Sequence, residues 1–354
     1  MRRILIIGSQ NSIHTIRWVN ALVERGYLVT VLTMHDFLEL FHENVEVIKL
    51  PFKNPYGYLL NIPFVKKIVK SYKPDIIHSF YAFGYGFLGR STGYSPHIIS
   101  VLGSDIYSDP EKNFLFKRII KKNILSSDVI CSTSNIMAEK IKEVTGQDRE
   151  IKITPFGVDI MKFTKIPNLK DLDFELTLGT VKKMEDKYGI DILIKSFALF
   201  VRKHPDLKVR LIIVGEGSKR EELISLSKEL NVFEKCEFVG PVKHDDVHNW
   251  LNKFDIFLAL SRSESFGVSV IEAMACELPV IVSNIGGLKE VVTNDETGLI
   301  VSNEDPVEVS KKLEYLYQNP KQAIELGKNA RAKVILRYSW KKSVEIMNNI
   351  YKSI

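Results

Sequence analysis

The sequence predicts an α/β protein built as two halves, each a parallel, doubly wound sheet flanked by helices. Three observations carry this. Short apolar runs recur along the whole chain, the pattern of strands buried on both faces. Stretches of helical character separate most of them, the alternation of a parallel sheet. A polar, proline-bearing segment at residues 162–173 interrupts the series and reads as a linker. A length of 354 residues is also long for one domain and natural for two.

Residues 4–7 form the first expected strand, ending at Gly8. A polar loop, 9–12, leads to an amphipathic helix over 14–25 closed by Gly26, and 27–33 is the next strand. This unit has one glycine where a dinucleotide fingerprint would have three, which disfavours a nicotinamide site. The loop still sets Ser9, Asn11, Ser12 and His14 at the carboxyl end of a central strand, the edge where such sheets bind ligands. The alternative is a plain turn capped by Ser12. Further strands are expected at 45–50, 75–78, 97–102, 129–132 and 151–154. After the linker a second series follows at 174–180, 208–214, 236–239, 255–260, 280–283 and 298–301. The tail from 319 is largely helical.

Composition bounds the class. Hydrophobic content of 45% with 26% charged residues is ordinary for a soluble globular enzyme. The net charge is +6. The first 160 residues carry 20 Lys and Arg against 15 Asp and Glu, net +5, and the remainder 29 against 28, net +1. The excess on the N-terminal side suggests an anionic surface or acceptor there. No nucleic-acid partner is expected. Cys131, Cys236 and Cys276 are scattered and read as reduced core residues of a cytoplasmic protein. Met1-Arg2-Arg3 leads straight into a strand, with no signal peptide, and no apolar run approaches a membrane span.

Residues 255–280 carry the chemistry. They read as strand, polar turn, helix, then a strand led by Pro279. Ser265 is a good cap, so a helix is expected from Phe266. The amides of Phe266, Gly267 and Val268 then have no intrahelical partner, an arrangement suited to phosphate. Two carboxylates flank them. Glu264 precedes the cap, and Glu272 lies inside a helix that is apolar nearly all round. A buried carboxylate needs partners, and neutral hydroxyls suit it beside a phosphate. Phosphate on amides and hydroxyls on two carboxylates describe a nucleotide sugar. The alternative is a core helix with one Glu bonded to a neighbouring loop.

The ordered set Glu264-Ser265-Phe266-Gly267, Glu272-Ala273-Met274-Ala275, Pro279-Val280 and Gly286-Gly287 resembles the signature of the retaining GT-B glycosyltransferases, family four, the glycosyl transferases group 1. The resemblance covers essentially the whole chain and is densest over 178–301. It implies two Rossmann-like domains facing across a cleft: an acceptor-binding domain at 1–165, a nucleotide-sugar-binding domain at 166–335, and a C-terminal helix, 336–354, packing back on the first domain. In the family an Arg and a Lys occupy the loop that here contains Lys182, Lys183 and Lys187. Lys183 falls at the Arg position. Tyr188 stands where the Lys is expected, with Lys187 one residue earlier. Such a loop would clamp a diphosphate.

The resemblance also places Gly8, Thr180, Glu216, Pro241, Ser265, Phe266, Gly267, Val268 and Glu272 around the donor. Glu272 would hold ribose hydroxyls, Glu264 donor-sugar hydroxyls, and Lys183 and Lys187 the diphosphate. Ser9, Asn11, Ser12, His14, His78 and Asp105 would face the acceptor. Family members often carry a His before the glycine of the 101–105 stretch; here it is Leu102. Either the chain does without that His or another residue such as His78 or Asp105 supplies the polar contact, the alternative for His78 being a structural residue at a strand end. No metal or cofactor is expected.

Three further patterns stand in the sequence. Asp171-Leu172-Asp173 matches the metal-binding acidic pair of the other glycosyltransferase fold, but it precedes a strand instead of following one. His244 and His248 have the spacing of two zinc ligands without an evident third, and a solvated helix start is the better reading. Residues 114–125 form a basic amphipathic helix, with Leu115, Phe116, Ile119, Ile120 and Ile124 beside Lys117, Arg118, Lys121 and Lys122. Such a helix either lies on an anionic membrane or packs in the core with its lysines in water.

The function expected is transfer of a sugar from a UDP- or GDP-linked donor to a sugar or lipid-linked acceptor, with retention, in cell-surface polysaccharide or glycolipid synthesis. An epimerase or phosphorylase of this fold, or a non-catalytic sugar-nucleotide-binding subunit, is the alternative.

Overall fold

A computed structural model describes residues 1–35, 41–167 and 169–354. Asn168, inside the expected linker, lies outside them. Every expected apolar run forms a strand among the described residues. The first seven are β1 (Arg3–Ile7), β2 (Leu28–Thr33), β3 (Glu46–Lys49), β4 (Ile76–Phe80), β5 (His97–Val101), β6 (Val129–Ser132) and β7 (Ile151–Ile153). They build one sheet in the order β3-β2-β1-β4-β5-β6-β7, all neighbours parallel. The second sheet takes β8 (Leu176–Val181), β9 (Val209–Val214), β10 (Cys236–Gly240), β11 (Ile256–Ala259), β12 (Val280–Ser283) and β13 (Leu299–Val301). Its order is β10-β9-β8-β11-β12-β13, again all parallel.

The strand chemistry explains the sheets. β1, β4, β5 and β11 are buried along nearly their whole length, as β-branched and aliphatic strands covered by helices on both faces must be. Leu178, Leu211 and Leu258 on the second sheet meet Phe197 and Phe200 of the helix Ile190–Lys203 and Leu313 of the helix Pro306–Gln318 in one core.

The chain divides into two units, Met1–Phe156 with Ser343–Ile354, and Gly157–Lys342. The boundaries lie beside those read from sequence, 165/166 and 335/336, for a packing reason. Val158 pairs with Ser339, and Phe163 is buried and sets its ring against His244 and His248. The start of the expected linker therefore belongs to the second unit. The helix Trp340–Lys352 ends in the first unit, where Tyr351 is fully buried and Asn348 accepts from the Tyr27 hydroxyl at 2.8 Å.

In each sheet the strand order reverses once, between β1 and β4 and between β8 and β11. Flanking connections leave in opposite directions there, which opens a crevice at the carboxyl ends of the two strands.

Candidate active site

In the second unit that crevice is bounded by the residues following β8 and β11. Lys182 directly follows β8. Its ammonium meets Glu264 Oε2 at 2.5 Å, with the two side chains 8% and 14% exposed, and lies 5.1 Å from the centre of the Tyr188 ring. Glycines let this loop seat closely. A Cβ on Gly215 would fall 2.0 Å from the Lys182 carbonyl oxygen, and one on Gly286 would fall 2.0 Å from that of Glu264. The Gly287 amide donates to the Glu264 carbonyl at 2.9 Å. Arg262 pegs the same loop: its guanidinium bonds both Asp191 oxygens at 2.9 Å and Glu304 at 2.6 Å.

The helix starts later than the sequence suggests. It spans Val268–Ala275 and is entered through Gly267 at φ +100°, with no side-chain cap. Ser265 is thus not the N-cap. Glycine takes a left-handed turn without a Cβ penalty, and Phe266 before it is buried, edge-on to Tyr338, so burial of the ring sets the start. The amides of Gly267, Val268 and Ser269 find no acceptor among the described residues, and the Ser261 and Ser269 hydroxyls are buried without a partner there. Open amides at a helix start form an anion site.

Glu272 is 4% exposed. Its partner within the chain is His244, whose Nε2 lies 2.8 Å from Glu272 Oε1. This corrects the reading of His244 as part of a solvated helix start. His248 bonds the Asp245 carbonyl instead, and no metal-holding group of three His, Cys, Asp or Glu residues occurs among the described residues.

Of the remaining donor candidates, Thr180 is buried on β8. Lys183 and Lys187 are exposed, with the Lys187 ammonium 4.8 Å from the Tyr188 ring centre. Glu216 lies 3.5 Å from Arg220, and Pro241, after β10, is exposed. Asp171 pairs with Arg210 at 3.0 Å.

The first unit treats its candidates differently. Gly8 sits at the end of β1, its amide on the Leu32 carbonyl. Ser9 Oγ accepts from the Asn11 amide, Ser12 caps the helix Ile13–Glu24, and His14 stacks on Phe156 at 3.9 Å. His78 does not line an edge. It is fully buried, with Nδ1 2.5 Å from the Tyr351 hydroxyl and Nε2 2.8 Å from Ser100 Oγ. Burial, with His97 nearby, pulls it down to about 3.

Asp105 is also fully buried. Its carboxylate accepts from the amides of Ala82 at 2.7 Å, Leu102 at 3.1 Å and Gly103 at 2.8 Å, while burial pushes it up to about 6. Both groups are used up inside the fold, which removes them as acceptor ligands. Tyr81, unmarked in the sequence, follows β4 with φ +89°, an outlier for a bulky residue. Its hydroxyl donates to Asp109 Oδ2 at 2.5 Å and meets Ser104 at 3.0 Å.

Comparison with known proteins gives the family and the fold. Residues 3–134 match the family model "Glycosyl transferase 4-like" and 164–333 the model "Glycosyl transferases group 1". An uncharacterised glycosyltransferase of Methanocaldococcus jannaschii is 28% identical over 333 residues, 92% of this chain and 89% of its own. Sucrose-phosphate synthase of Thermosynechococcus elongatus superposes with a TM-score of 0.85 at 21% identity, covering 100% of this chain and 99% of its own. The Anabaena protein HepE, solved with UDP and glucose, does so at 0.85 and 18%, covering both chains in full. The chain belongs to the GT-B glycosyltransferases, with a glycosyl transferase 4-like region followed by a region of glycosyl transferases group 1.

Proposed function

We propose that this glycosyltransferase takes its sugar from a nucleotide diphosphate donor, UDP- or GDP-linked, and passes a hexosyl or N-acetylhexosaminyl group to a hydroxyl of a sugar or lipid-linked acceptor with retention. The observation that carries the reading is the Lys182–Glu264 pair at the end of β8 and β11, beside the open amides of Gly267–Ser269. The amides and the Ser269 hydroxyl take the diphosphate, and Lys183 and Lys187 lie on the same basic loop to meet its charge. Glu272 takes ribose hydroxyls through the oxygen that His244 leaves free. Glu264, held by Lys182 on Oε2, takes donor-sugar hydroxyls through Oε1. HepE, solved with UDP and glucose, supports a donor of this class.

The chemistry follows from which side chains keep a free base or nucleophile. Inversion needs a base in reach of the acceptor hydroxyl. Leu102 occupies the position where a His is common, and His78 and Asp105 are enclosed. A double displacement needs a free carboxylate nucleophile, and the ammonium on Glu264 quenches it. Front-face attack remains. The bond from the anomeric carbon to the phosphate oxygen breaks. The acceptor oxygen bonds the same face, and its proton passes to the leaving phosphate. Amides and lysines stabilise the charge that develops on that leaving group. In this reading no metal or cofactor takes part.

The test is proton NMR of the first-formed product from an α-linked donor. An α-linkage is expected. A β-linkage, or a glycosyl adduct trapped on Glu264, overturns the mechanism. Donor binding without any transfer or hydrolysis would point to a non-catalytic subunit.

A further inference from the structure

An apolar stripe at helical spacing lies on the outside of the first unit. Two abutting helices, Gly57–Leu60 and Ile62–Tyr72, join at Asn61, which stays in the helical region and is locked by bonds to both backbone groups of Phe52. Across them Tyr56, Leu59, Leu60, Pro63 and Phe64 follow the i, i+3, i+4, i+7, i+8 pattern that normally faces a core. Here it faces solvent: Tyr56 is 74% exposed, Leu59 62%, Leu60 50% and Phe64 43%. The opposite face is the one that packs, through Val65 and Val69.

The patch continues through aromatic contacts. Phe64 meets Phe52 at 5.9 Å, Tyr58 meets Phe83 at 6.2 Å, and Phe83 stacks on Phe116 at 4.4 Å. Phe116 belongs to the helix Phe114–Leu125, whose first two residues, Phe114 and Leu115, are 78% and 60% exposed. Only Ile120, Asn123 and Ile124 of that helix are buried, so the core claims one end of it and leaves the other bare.

Charge says what covers the patch. Residues 51–74 contain Lys53, Lys66, Lys67, Lys70 and Lys73 and no acid; residues 113–127 contain Lys117, Arg118, Lys121 and Lys122 and no acid. All nine are exposed. They are nine of the 20 basic residues in the first 160; without them that region holds 11 against 15 acids, net −4. The positive excess of the N-terminal half therefore sits around the apolar patch. Aromatic and leucine side chains rimmed by lysines suit an interface of acyl chains below and anionic headgroups above.

We propose that this face docks on an anionic lipid surface, with Tyr56, Leu59, Leu60, Phe64, Phe114 and Leu115 inserted and the two lysine clusters on headgroups. No helix among the described residues is long and apolar enough to cross a membrane, so the attachment is peripheral. Every residue involved belongs to the first unit, so the inference stands apart from the donor site.

The full chain is sedimented with phosphatidylcholine vesicles, with and without phosphatidylglycerol. Binding is expected only with the anionic lipid, and it weakens as salt rises. Lys67→Glu and Lys121→Glu each lower the partition roughly five-fold or more, and Leu59→Glu with Leu60→Glu lowers it at least as far. Unchanged melting temperatures show that the variants fold. Equal recovery on both vesicle types, no recovery on either, or a vesicle-independent dimer lost in the leucine variant overturns the proposal.

Discussion

His78 and Glu272 are both nearly inaccessible polar groups in parallel-sheet units, yet they are buried in opposite ways. The His78 ring has a partner on each nitrogen, and Asp105 likewise collects three amides. Among the described residues Glu272 has one side-chain partner, on one oxygen. Glu264 also shares a single oxygen with Lys182, beside amides that find no acceptor among the described residues. A closed set of hydrogen bonds holds a fold. A half-filled set, at the switch point of a sheet, waits for a ligand. Burial alone does not separate the two; the count of unfilled positions does.

Acid gives the largest effect and sharpens the comparison. The folded His78 sits at about 3 and His97, also burial-depressed, at about 4, against about 6.5 in an unfolded chain. Between those values the unfolded chain binds protons that the folded one does not, so stability falls as pH drops from about 6.5. For His78 alone the loss by pH 3 is about 4 kcal/mol. On unfolding near pH 5 the two histidines take up about two protons, while Asp105, pushed up to about 6 in the folded protein against about 3.9 unfolded, gives up about one. Denaturant unfolding followed across pH should therefore show a net uptake from these three groups of about one proton, abolished in His78→Asn. An unchanged slope would mean that the ring is not enclosed.

The Lys182–Glu264 pair comes next. Lys182→Met leaves a largely buried carboxylate uncompensated and should lower stability by about 3 kcal/mol. Adding Glu264→Gln should restore most of it, a coupling read from a double-mutant cycle. Lys183→Ala, at an exposed neighbour, should leave stability unchanged. Equal losses at both lysines would break the distinction drawn between them.

Asp105→Asn is the smaller test on the closed side. An amide NH₂ placed against three backbone donors should cost about 1–3 kcal/mol in thermal or chemical unfolding. Loss of donor binding with stability intact would make Asp105 a ligand after all.

The fold was legible because its strands are apolar on both faces and their signal is local. The strand-turn-helix after β11, with Glu264 and Glu272, was legible for the same reason. What the sequence hid is tertiary. Glu272 finds His244 28 residues away in the chain, and no periodicity reports that. Of two adjacent lysines, Lys182 turns in and Lys183 out; the two-residue alternation of β8, carried past its end, puts Lys182 on the side of Leu178 and Thr180, a signal that was present and unused. His78 reads as a strand end, whereas β4 runs on to Phe80 and the ring lies under Tyr351, 273 residues away. The helix start was misplaced because Ser265 is a better cap by type than Gly267, and the burial of Phe266 overrode type.

The most direct test of the donor site is a thermal-shift titration with UDP and GDP on three proteins: the unmodified chain, Glu272→Ala and Asp105→Asn. At a hundred-fold excess over its dissociation constant the right nucleotide adds about 2.7 kcal/mol of stability. The account predicts that this increment appears in the unmodified chain, is largely lost in Glu272→Ala, and persists in Asp105→Asn above its lowered baseline. An increment kept in Glu272→Ala and lost in Asp105→Asn would contradict it.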